Sequence, residues 1–446
     1  MDLQELFHLK TTENGDLCFN QASDDNLINL LFMTEYFQKH LNEVALGSSD
    51  RDKLFAQFIR DPRYGLGRRD LGRKLMLLAH LTPEQVVKAG RFDDLFGVCP
   101  QDITFNYFAK EIRKGNELAK KWAPRYSSKN LLVAREFAKW LGMNKQQYGH
   151  FIKADTTEQK LSRKNTESIN FEHVPSLALL KYYKRFANGE DTKNRFAQYL
   201  QDVKAGKKEL HVSTTTVYDI FKNRDKIDPD LFFEKLEKVK GNWIPIVDTS
   251  GSMVNRNDSM GKALAIGHYL AKCSTYAPDR VITFSSHPSL IQLGEPRSEA
   301  TYFGTSRRTG YVPSFMPTSE SQYINEINSM NTGDCSNTDL GAVMNLLSNL
   351  TDTPEYLIVL SDMEFDEGSH TSLDKTMALF AERGITTKII WWNLNATNTT
   401  APQMDSHGNI FMSGYSPYLL KFLQTGFDAK AFLNALLEEY KKNLEA

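Results

Sequence analysis

The sequence predicts two structural classes in one chain, an all-α region of helical repeats over residues 1–240 and a doubly wound α/β domain over residues 241–446. Three observations favour this division. Apolar residues recur at helical spacing in the first part, apolar runs alternate with helical stretches in the second, and the net charge changes sign between them. A length of 446 residues also exceeds what one ordinary core contains.

The first part is predicted to consist of short amphipathic helices. Between Asp24 and His40, the residues Leu27, Leu30 and Leu31 follow the spacing of a buried helix face. The other predicted helices are Asp52–Ile59, Asp70–Leu81, Asn106–Lys121, Leu131–Leu141, Ser176–Phe186, Asn194–Lys204 and Leu231–Lys238. Such a succession indicates a helical-repeat or irregular α domain, although no clean internal repeat is visible.

The second part is predicted to alternate strands with helices. The predicted strands are Trp243–Val247, Arg280–Ser285, Ser289–Leu293, Tyr356–Leu360, Thr387–Trp392 and Ile410–Met412. The predicted helices are Lys262–Cys273, Asp339–Leu350, Thr371–Glu382 and Ala429–Tyr440. This order is typical of a mainly parallel sheet, and such sheets bind ligands at the carboxyl ends of their strands.

Charge and composition limit the kind of protein. Residues 1–240 contain 40 Lys and Arg against 33 Asp and Glu, a net charge of +7, whereas residues 241–446 carry a net charge of −8. The basic half is where a polyanion could bind, although solvated helix faces on an ordinary scaffold would give the same balance. No apolar run approaches the ~18–20 residues of a membrane span, and the four cysteines form no CxxC pair. We therefore expect a cytoplasmic protein without a membrane segment.

Oxygen-bearing side chains follow the predicted strands. The first strand runs into Asp248, Ser250 and Ser252 in WIPIVDTSGSM, the loop GDCSNTD carries Thr338, and the YLIVL strand is followed by Asp362. Because parallel strands end at one edge of a sheet, these loops can converge. Carboxylates and hydroxyls suit Mg²⁺, or another divalent cation. The alternatives are hydroxyls that cap a helix beside aspartates in turns, and a formed site that holds no cation.

This combination resembles the von Willebrand factor A domain and its metal-ion-dependent adhesion site. The family motif is DxSxS, then a threonine, then an aspartate after the fourth strand. The resemblance implies that Ser250, Ser252 and Thr338 contact the metal, while Asp248 and Asp362 act through water. It further implies that the metal keeps one coordination position open for a carboxylate of a protein partner.

A second resemblance lies in RDPRYGLGRRDLGRKLML, from Arg60 to Leu77. This stretch is similar to the motif of the TROVE module, a HEAT-like ring of helices that precedes a von Willebrand A domain in the Ro ribonucleoprotein family. Further similarity, to an uncharacterised microbial and viral family of the same architecture, lies in HVPSLALLKYYKRF, SDMEFD, IIWWNLN and FMSGYSPYLL. The resemblance implies RNA binding by the helical region.

Basic residues beside aromatic ones support RNA binding in part. The candidates are Arg63, Arg68, Arg69, Arg73, Lys74, Lys120, Lys121 and Arg125. Their charges would neutralise phosphates, and neighbouring rings could stack on unpaired bases. The alternative is that the aromatic rings pack in the core while lysine stems cover helix faces. Gly65 and Gly67 are expected to hold the first arginines on a flexible loop.

These features predict a Ro-like, RNA-binding ribonucleoprotein component whose A domain binds a protein partner through a divalent metal. The alternative is a metal-dependent adaptor without nucleic acid, for example for an AAA+ ATPase. We expect no catalysis and no small-molecule substrate, because the sequence shows no nucleophile–base arrangement, HExxH motif or phosphate-binding loop.

Overall fold

The fold is described from a computed structural model. Its described residues are 9–11, 17–19, 25–32, 34–127, 129–155, 157–162, 165–212, 215–255, 257–284, 288–295, 319–330, 343, 353–362, 378, 381–384, 386–395, 403–404, 409–414, 419, 422 and 428–445. They form two compact units. The sheet unit comprises Met1–Tyr36 and Thr215–Phe432, and the helical unit comprises Phe37–Thr214 and Leu433–Ala446. The predicted domain boundary between residues 240 and 241 stays a prediction.

Helices dominate the chain up to residue 234. The first thirteen are α1 (Asn26–Phe32), α2 (Thr34–Lys39), α3 (Asp50–Arg60), α4 (Arg69–Leu78), α5 (Pro83–Ala89), α6 (Leu95–Val98), α7 (Gln101–Arg113), α8 (Glu117–Trp122), α9 (Leu131–Trp140), α10 (Lys145–Phe151), α11 (Thr157–Ser162), α12 (Ser176–Asn188) and α13 (Lys193–Lys204). The other helices given by the described residues are α14 (Val217–Asn223), α15 (Pro229–Glu234), α16 (Ser259–Cys273), α17 (Gln322–Met330) and α18 (Ala429–Glu445).

Local chemistry explains where several helices begin and end. Ser49 forms a capping box with Asp52 at the start of α3, and Thr82 does the same with Gln85 before α5. The single helix predicted from Asn106 to Lys121 is wrong, because Gly115 has a φ of 85° and ends the helical path there. Asn116 then caps α8 by accepting hydrogen bonds from the backbone.

Aromatic rings fill the core of the helical unit. The ring of Phe105 stacks on that of Phe137 at 4.7 Å between centroids, and Phe137 meets Tyr148 edge-on at 5.8 Å. A second group centres on Phe196, whose ring lies 5.1 Å from that of Tyr183. These rings are buried, so packing rather than base stacking accounts for them.

The strands form one hairpin and one larger sheet. They are β1 (Leu9–Thr11), β2 (Leu17–Phe19), β3 (Trp243–Asp248), β4 (Arg280–Phe284), β5 (Ser289–Gln292), β6 (Tyr356–Ser361), β7 (Lys388–Asn393), β8 (Gln403–Met404) and β9 (Ile410–Ser413). The larger sheet has seven strands in the order β5-β4-β3-β6-β7-β9-β8. Neighbouring strands from β4 to β9 in this order are parallel, and β5 and β8 add antiparallel edges.

The predicted fold class is confirmed: a helical region is followed by a mostly parallel sheet with helices. Every residue of β3 is buried, as expected for a central strand covered on both faces. The chain places β4 on one side of β3 and β6 on the other, which makes β3 the topological switch point. Two predicted helices, 339–350 and 371–382, lie almost wholly outside the described residues. None of the described helices is long and apolar enough to cross a bilayer.

Candidate metal centre

Three side chains at the switch point carry oxygen atoms close to one another. The pairing of Val247 with Leu360 places the carboxyl ends of β3 and β6 side by side. The Oγ atoms of Ser250 and Ser252 are 3.1 Å apart, and Ser252 Oγ lies 3.3 Å from Asp362 Oδ1. We call these three residues, together with Asp248, the oxygen cluster.

Asp248 is the fully buried member of the oxygen cluster and is held by two hydrogen bonds. Its carboxylate is fully buried, accepts a hydrogen bond from the Ser250 amide at 2.9 Å, and accepts another from Ser361 Oγ at 2.6 Å. Burial raises the pKa of Asp248 to about 6, the hydrogen bonds from Ser361 and Ser250 oppose this rise, and the charge of Asp362 adds to it. Both carboxylate oxygens therefore have protein donors, which suits a residue that acts on a metal through its ligands.

The spacing of the oxygen cluster fits a small octahedral cation. Adjacent ligands at about 2.1 Å from Mg²⁺ lie roughly 3.0 Å from each other, close to the hydrogen-bonded separations of 3.1 and 3.3 Å. Asp362 is thus near enough to Ser252 to serve as a direct ligand, where the family resemblance implies action through water. Two hydroxyls and a carboxylate also form the hard, oxygen-only donor set that Mg²⁺ prefers. Within the described part of the chain, no three or more His, Cys, Asp or Glu side chains form a metal-binding group. A metal here would therefore depend on the serine hydroxyls.

The remaining predicted metal ligand is not described. Thr338 lies outside the described residues, as do Glu364 and Asp366, the acidic residues that follow Asp362. Four of the five predicted ligands therefore lie together, and the place of Thr338 stays a prediction.

The loop after Ser252 is held by amide side chains that the sequence did not single out. Asn255 Nδ2 donates to the carbonyl of Ser252 at 3.2 Å, and the Asn257 amide donates to Asn255 Oδ1 at 3.1 Å. Asn257 Nδ2 in turn donates to Asn395 Oδ1 at 2.9 Å. An isolated asparagine in a loop gives no sequence signal of such a partner, because 138 residues separate these two.

The segment from the last residue of α3 into the beginning of α4, which we call the arginine loop (residues 60–73), is held against α3 by hydrogen bonds. The amides of Leu66 and Arg68 donate to the carbonyls of Phe58 and Ile59 at 3.0 and 2.8 Å. A Cβ atom at Gly65 would lie 1.9 Å from the Phe58 carbonyl oxygen, so glycine serves close packing there. The sequence predicted a flexible loop here, whereas the structure has a closely packed turn.

Several arginines of the arginine loop are paired with aspartates. Arg60 is buried and its Nη2 lies 2.6 Å from Asp94 Oδ2, while Arg73 Nε lies 2.5 Å from Asp94 Oδ1. Arg69 and Arg73 also pair with Asp93. Arg69 and Arg73, both predicted to contact RNA, therefore already have carboxylate partners.

The other predicted RNA-binding residues differ in their surroundings. Arg63 is exposed, donates to the Lys88 carbonyl and lies over the Tyr64 ring, while Arg68 and Lys74 are half-buried. Lys120 pairs with Glu117 at 2.7 Å within α8. Lys121 and Arg125 follow it, and Lys121 Nζ lies 5.6 Å from the centre of the Trp122 ring.

Comparisons with known proteins give matches along the chain. Residues 152–248 match the model of a domain of unknown function, DUF2828, and residues 317–444 match that of another, DUF7788. No curated protein matches the chain. The crystal structure of the Ro (RSR) protein of Deinococcus radiodurans is similar to it with a TM-score of 0.38 and 11% identity, over 91% of this chain and 94% of that chain.

Proposed function

We propose that the oxygen cluster binds a divalent cation, Mg²⁺ before others, and that this cation holds a carboxylate of a protein partner. The observation that supports the proposal is the spacing of Ser250, Ser252 and Asp362 oxygens, which suits adjacent ligands of an octahedral ion. When bound, the cation supplies a positive charge with an exchangeable coordination position. Asp248 and Ser361 would hold the cluster in place.

The proposed role is binding rather than catalysis. The hydroxyl of Ser252 contacts the oxygens of Ser250 and Asp362, with no histidine or lysine among the described contacts of this group to act as a base. A cytoplasmic location, and a partner such as an AAA+ ATPase, belong to the same proposal.

Direct metal titration tests this role. We expect Mg²⁺ and Mn²⁺ to bind the full chain in calorimetry with one site, and Asp362→Asn to abolish the heat of binding. A partner recovered from host extract should then remain after nuclease treatment and be released by EDTA. Binding of neither cation to the wild type would exclude the proposal, and so would a partner that EDTA leaves in place.

A second candidate function is RNA binding by the helical unit, and the surface around Trp122 favours it. The Arg91 guanidinium lies 4.6 Å from the Trp122 ring centre, and the exposed Arg125 follows closely in sequence. Lys145 Nζ lies 5.6 Å from the ring centre of Tyr126. Cations beside two partly exposed rings match the chemistry that single-stranded nucleic acids require.

If both candidate functions hold, the protein is a ribonucleoprotein component with a metal-dependent partner site. If only metal binding holds, it is an adaptor. Fluorescence anisotropy with a labelled single-stranded RNA separates them. A ribonucleoprotein component should bind with an affinity that falls steeply as salt rises. Salt-independent binding, or none, would leave the adaptor.

A further inference from the structure

The inference concerns the hydrogen bond that the side-chain amide of Asn257 donates to Oδ1 of Asn395, and it rests on the proposed cation site. Asn257 belongs to the loop that leaves β3, whereas Asn395 follows the end of β7. These strands are not neighbours, because β6 lies between them in the sheet. With strands about 4.8 Å apart, the loop must reach across roughly 10 Å to make this contact. It therefore crosses the carboxyl end of β6, where Asp362 follows.

Both ends of this bond are anchored. On one side, Asn255 accepts from the Asn257 amide and donates to the Ser252 carbonyl. On the other side, the Asn395 amide donates at 3.0 Å to Oδ1 of Asn393, which is buried at the end of β7.

The anchors complete a closed circuit of hydrogen bonds around the oxygen cluster. The amide of Leu394 donates at 2.9 Å to the carbonyl of Ser361, the residue before Asp362. Asp362 accepts in turn from Ser252 Oγ at 3.3 Å, which returns to the loop that carries Asn257. The separation between Ser252 and Asp362 is therefore set by a ring of contacts, in which the Asn257–Asn395 bond is exposed.

We propose that Asn257 and Asn395 form a clasp that holds Ser252 and Asp362 at the spacing of a small octahedral cation and so determines the preference for Mg²⁺ over Ca²⁺. Mg²⁺ requires near-ideal octahedral geometry, whereas Ca²⁺ accepts longer and more variable distances. A rigid ring of hydrogen bonds weakens binding of the larger Ca²⁺ ion, whereas a loosened ring does not. The two asparagines are positioning residues, which act on the cation through Ser252 and Asp362.

Calorimetric titration of the full chain with Mg²⁺ and with Ca²⁺ tests the clasp. We expect Asn257→Ala and Asn395→Ala each to weaken Mg²⁺ binding about 10-fold, as loss of an outer contact at a metal site does, and to change Ca²⁺ binding less than about 2-fold. The double variant should be no weaker than either single one, because the two residues act through one bond. The melting temperature in EDTA should stay that of the wild type, since the bond is exposed.

Asn130→Ala is the matched control, because Asn130 is exposed and its side chain makes no capping hydrogen bond at α9. Equal losses for Mg²⁺ and Ca²⁺, additive effects of the two substitutions, or unchanged Mg²⁺ affinity would each overturn the clasp while the cation site stands. A wild-type chain that binds neither ion would overturn both proposals.

Discussion

The oxygen cluster and the arginine loop are both polar groups assembled from distant parts of the sequence, but their charges are balanced differently. In the arginine loop, Arg60 and Arg73 meet the carboxylate of Asp94 within 2.6 Å. In the oxygen cluster, the carboxylate of Asp362 accepts from a neutral hydroxyl, and its charge raises the pKa of Asp248. The first group pairs its charges within the fold, whereas we expect an added cation to stabilise the second.

This difference changes what each group indicates about function. A charged run that finds its counter-charges within the fold is explained by stability alone. A buried carboxylate whose pKa is raised by burial and by a second carboxylate, at the switch point of a sheet, has a functional interpretation.

The largest expected effect separates the two regions by stability. Asp94→Asn leaves the buried Arg60 without its partner, so we expect a loss of about 3–5 kcal/mol in the free energy of unfolding. Urea unfolding measures it. Asp50→Asn, at an exposed position of α3, is the control and should cost well under 1 kcal/mol. A small loss at Asp94 would mean that the arginine loop is not self-stabilised.

A second test of the comparison uses Glu326, an acid of the sheet unit that is paired with basic residues, as Asp94 is in the helical unit. Burial acts to raise the pKa of Glu326, but hydrogen bonds from His268, Gln322 and Lys272 outweigh it and lower that pKa to about 2. Burial lowers the pKa of His268, whose Nε2 lies 2.6 Å from Glu326 Oε2. The lowered carboxyl pKa adds stability that is present above about pH 4.5 and is lost as the pH falls towards 2.

Glu326→Gln should therefore cost about 3 kcal/mol at pH 7, with a difference from wild type that shrinks as the pH falls below about 4.5. Thermal unfolding across pH measures this difference, with the exposed Glu320→Gln as control. A cost that does not change between pH 7 and pH 3 would show that charge is not its cause.

An added cation should stabilise the folded protein, and it should do so only through the oxygen cluster. Mg²⁺ at 100 times its dissociation constant should raise the free energy of unfolding by about 2.7 kcal/mol, and Asp362→Asn should remove this gain. The melting temperature with Mg²⁺ and with EDTA gives the comparison. An equal gain in the variant would place the cation elsewhere.

Without cation, the same substitution should do little. In EDTA, Asp362→Asn removes a charge that opposes ionisation of Asp248 and keeps an acceptor for Ser252. We expect a stability equal to the wild type or up to about 1 kcal/mol above it. A loss as large as that of Asp94→Asn would show that the two regions do not differ.

The smallest effect concerns RNA. Arg125→Ala should lower the slope of log affinity against log salt by about 0.7 for single-stranded RNA, the contribution of one phosphate contact. Arg69→Ala should leave the slope unchanged, because Asp93 already neutralises Arg69. Anisotropy titrations at several salt concentrations measure both. The reverse order would return the arginine loop to the RNA-binding surface.

The sequence predicted those features that depend on short-range pattern. Alternation of apolar runs and helices predicted the sheet, and hydroxyls directly after β3 predicted that Ser250 and Ser252 would meet Asp362. It missed the helix break at Gly115. A glycine within a helical pattern ends the helix when its φ is positive, and the sequence does not show which glycines adopt that conformation.

Other long-range pairing, which neither short-range pattern nor the sheet edge reveals, was beyond the sequence. Nothing in the run from Arg60 to Arg73 reveals that Asp94 forms salt bridges with the guanidinium groups of both arginines. A lysine or arginine looks the same in sequence whether it faces solvent or a buried carboxylate. The clasp was missed for the same reason, since its two asparagines are 138 residues apart.

The position of Tyr440 in α18 has a consequence for how the protein is made. Its hydroxyl donates to Asp61 Oδ2 at 3.1 Å, and its ring meets Phe58 edge-on at 5.5 Å, inside the helical unit. The ribosome synthesises Asp61 early and Tyr440 only after every strand of the sheet. During translation, the Asp61 carboxylate is therefore made long before its tyrosine partner, and this contact can form only after the strands of the sheet have been synthesised.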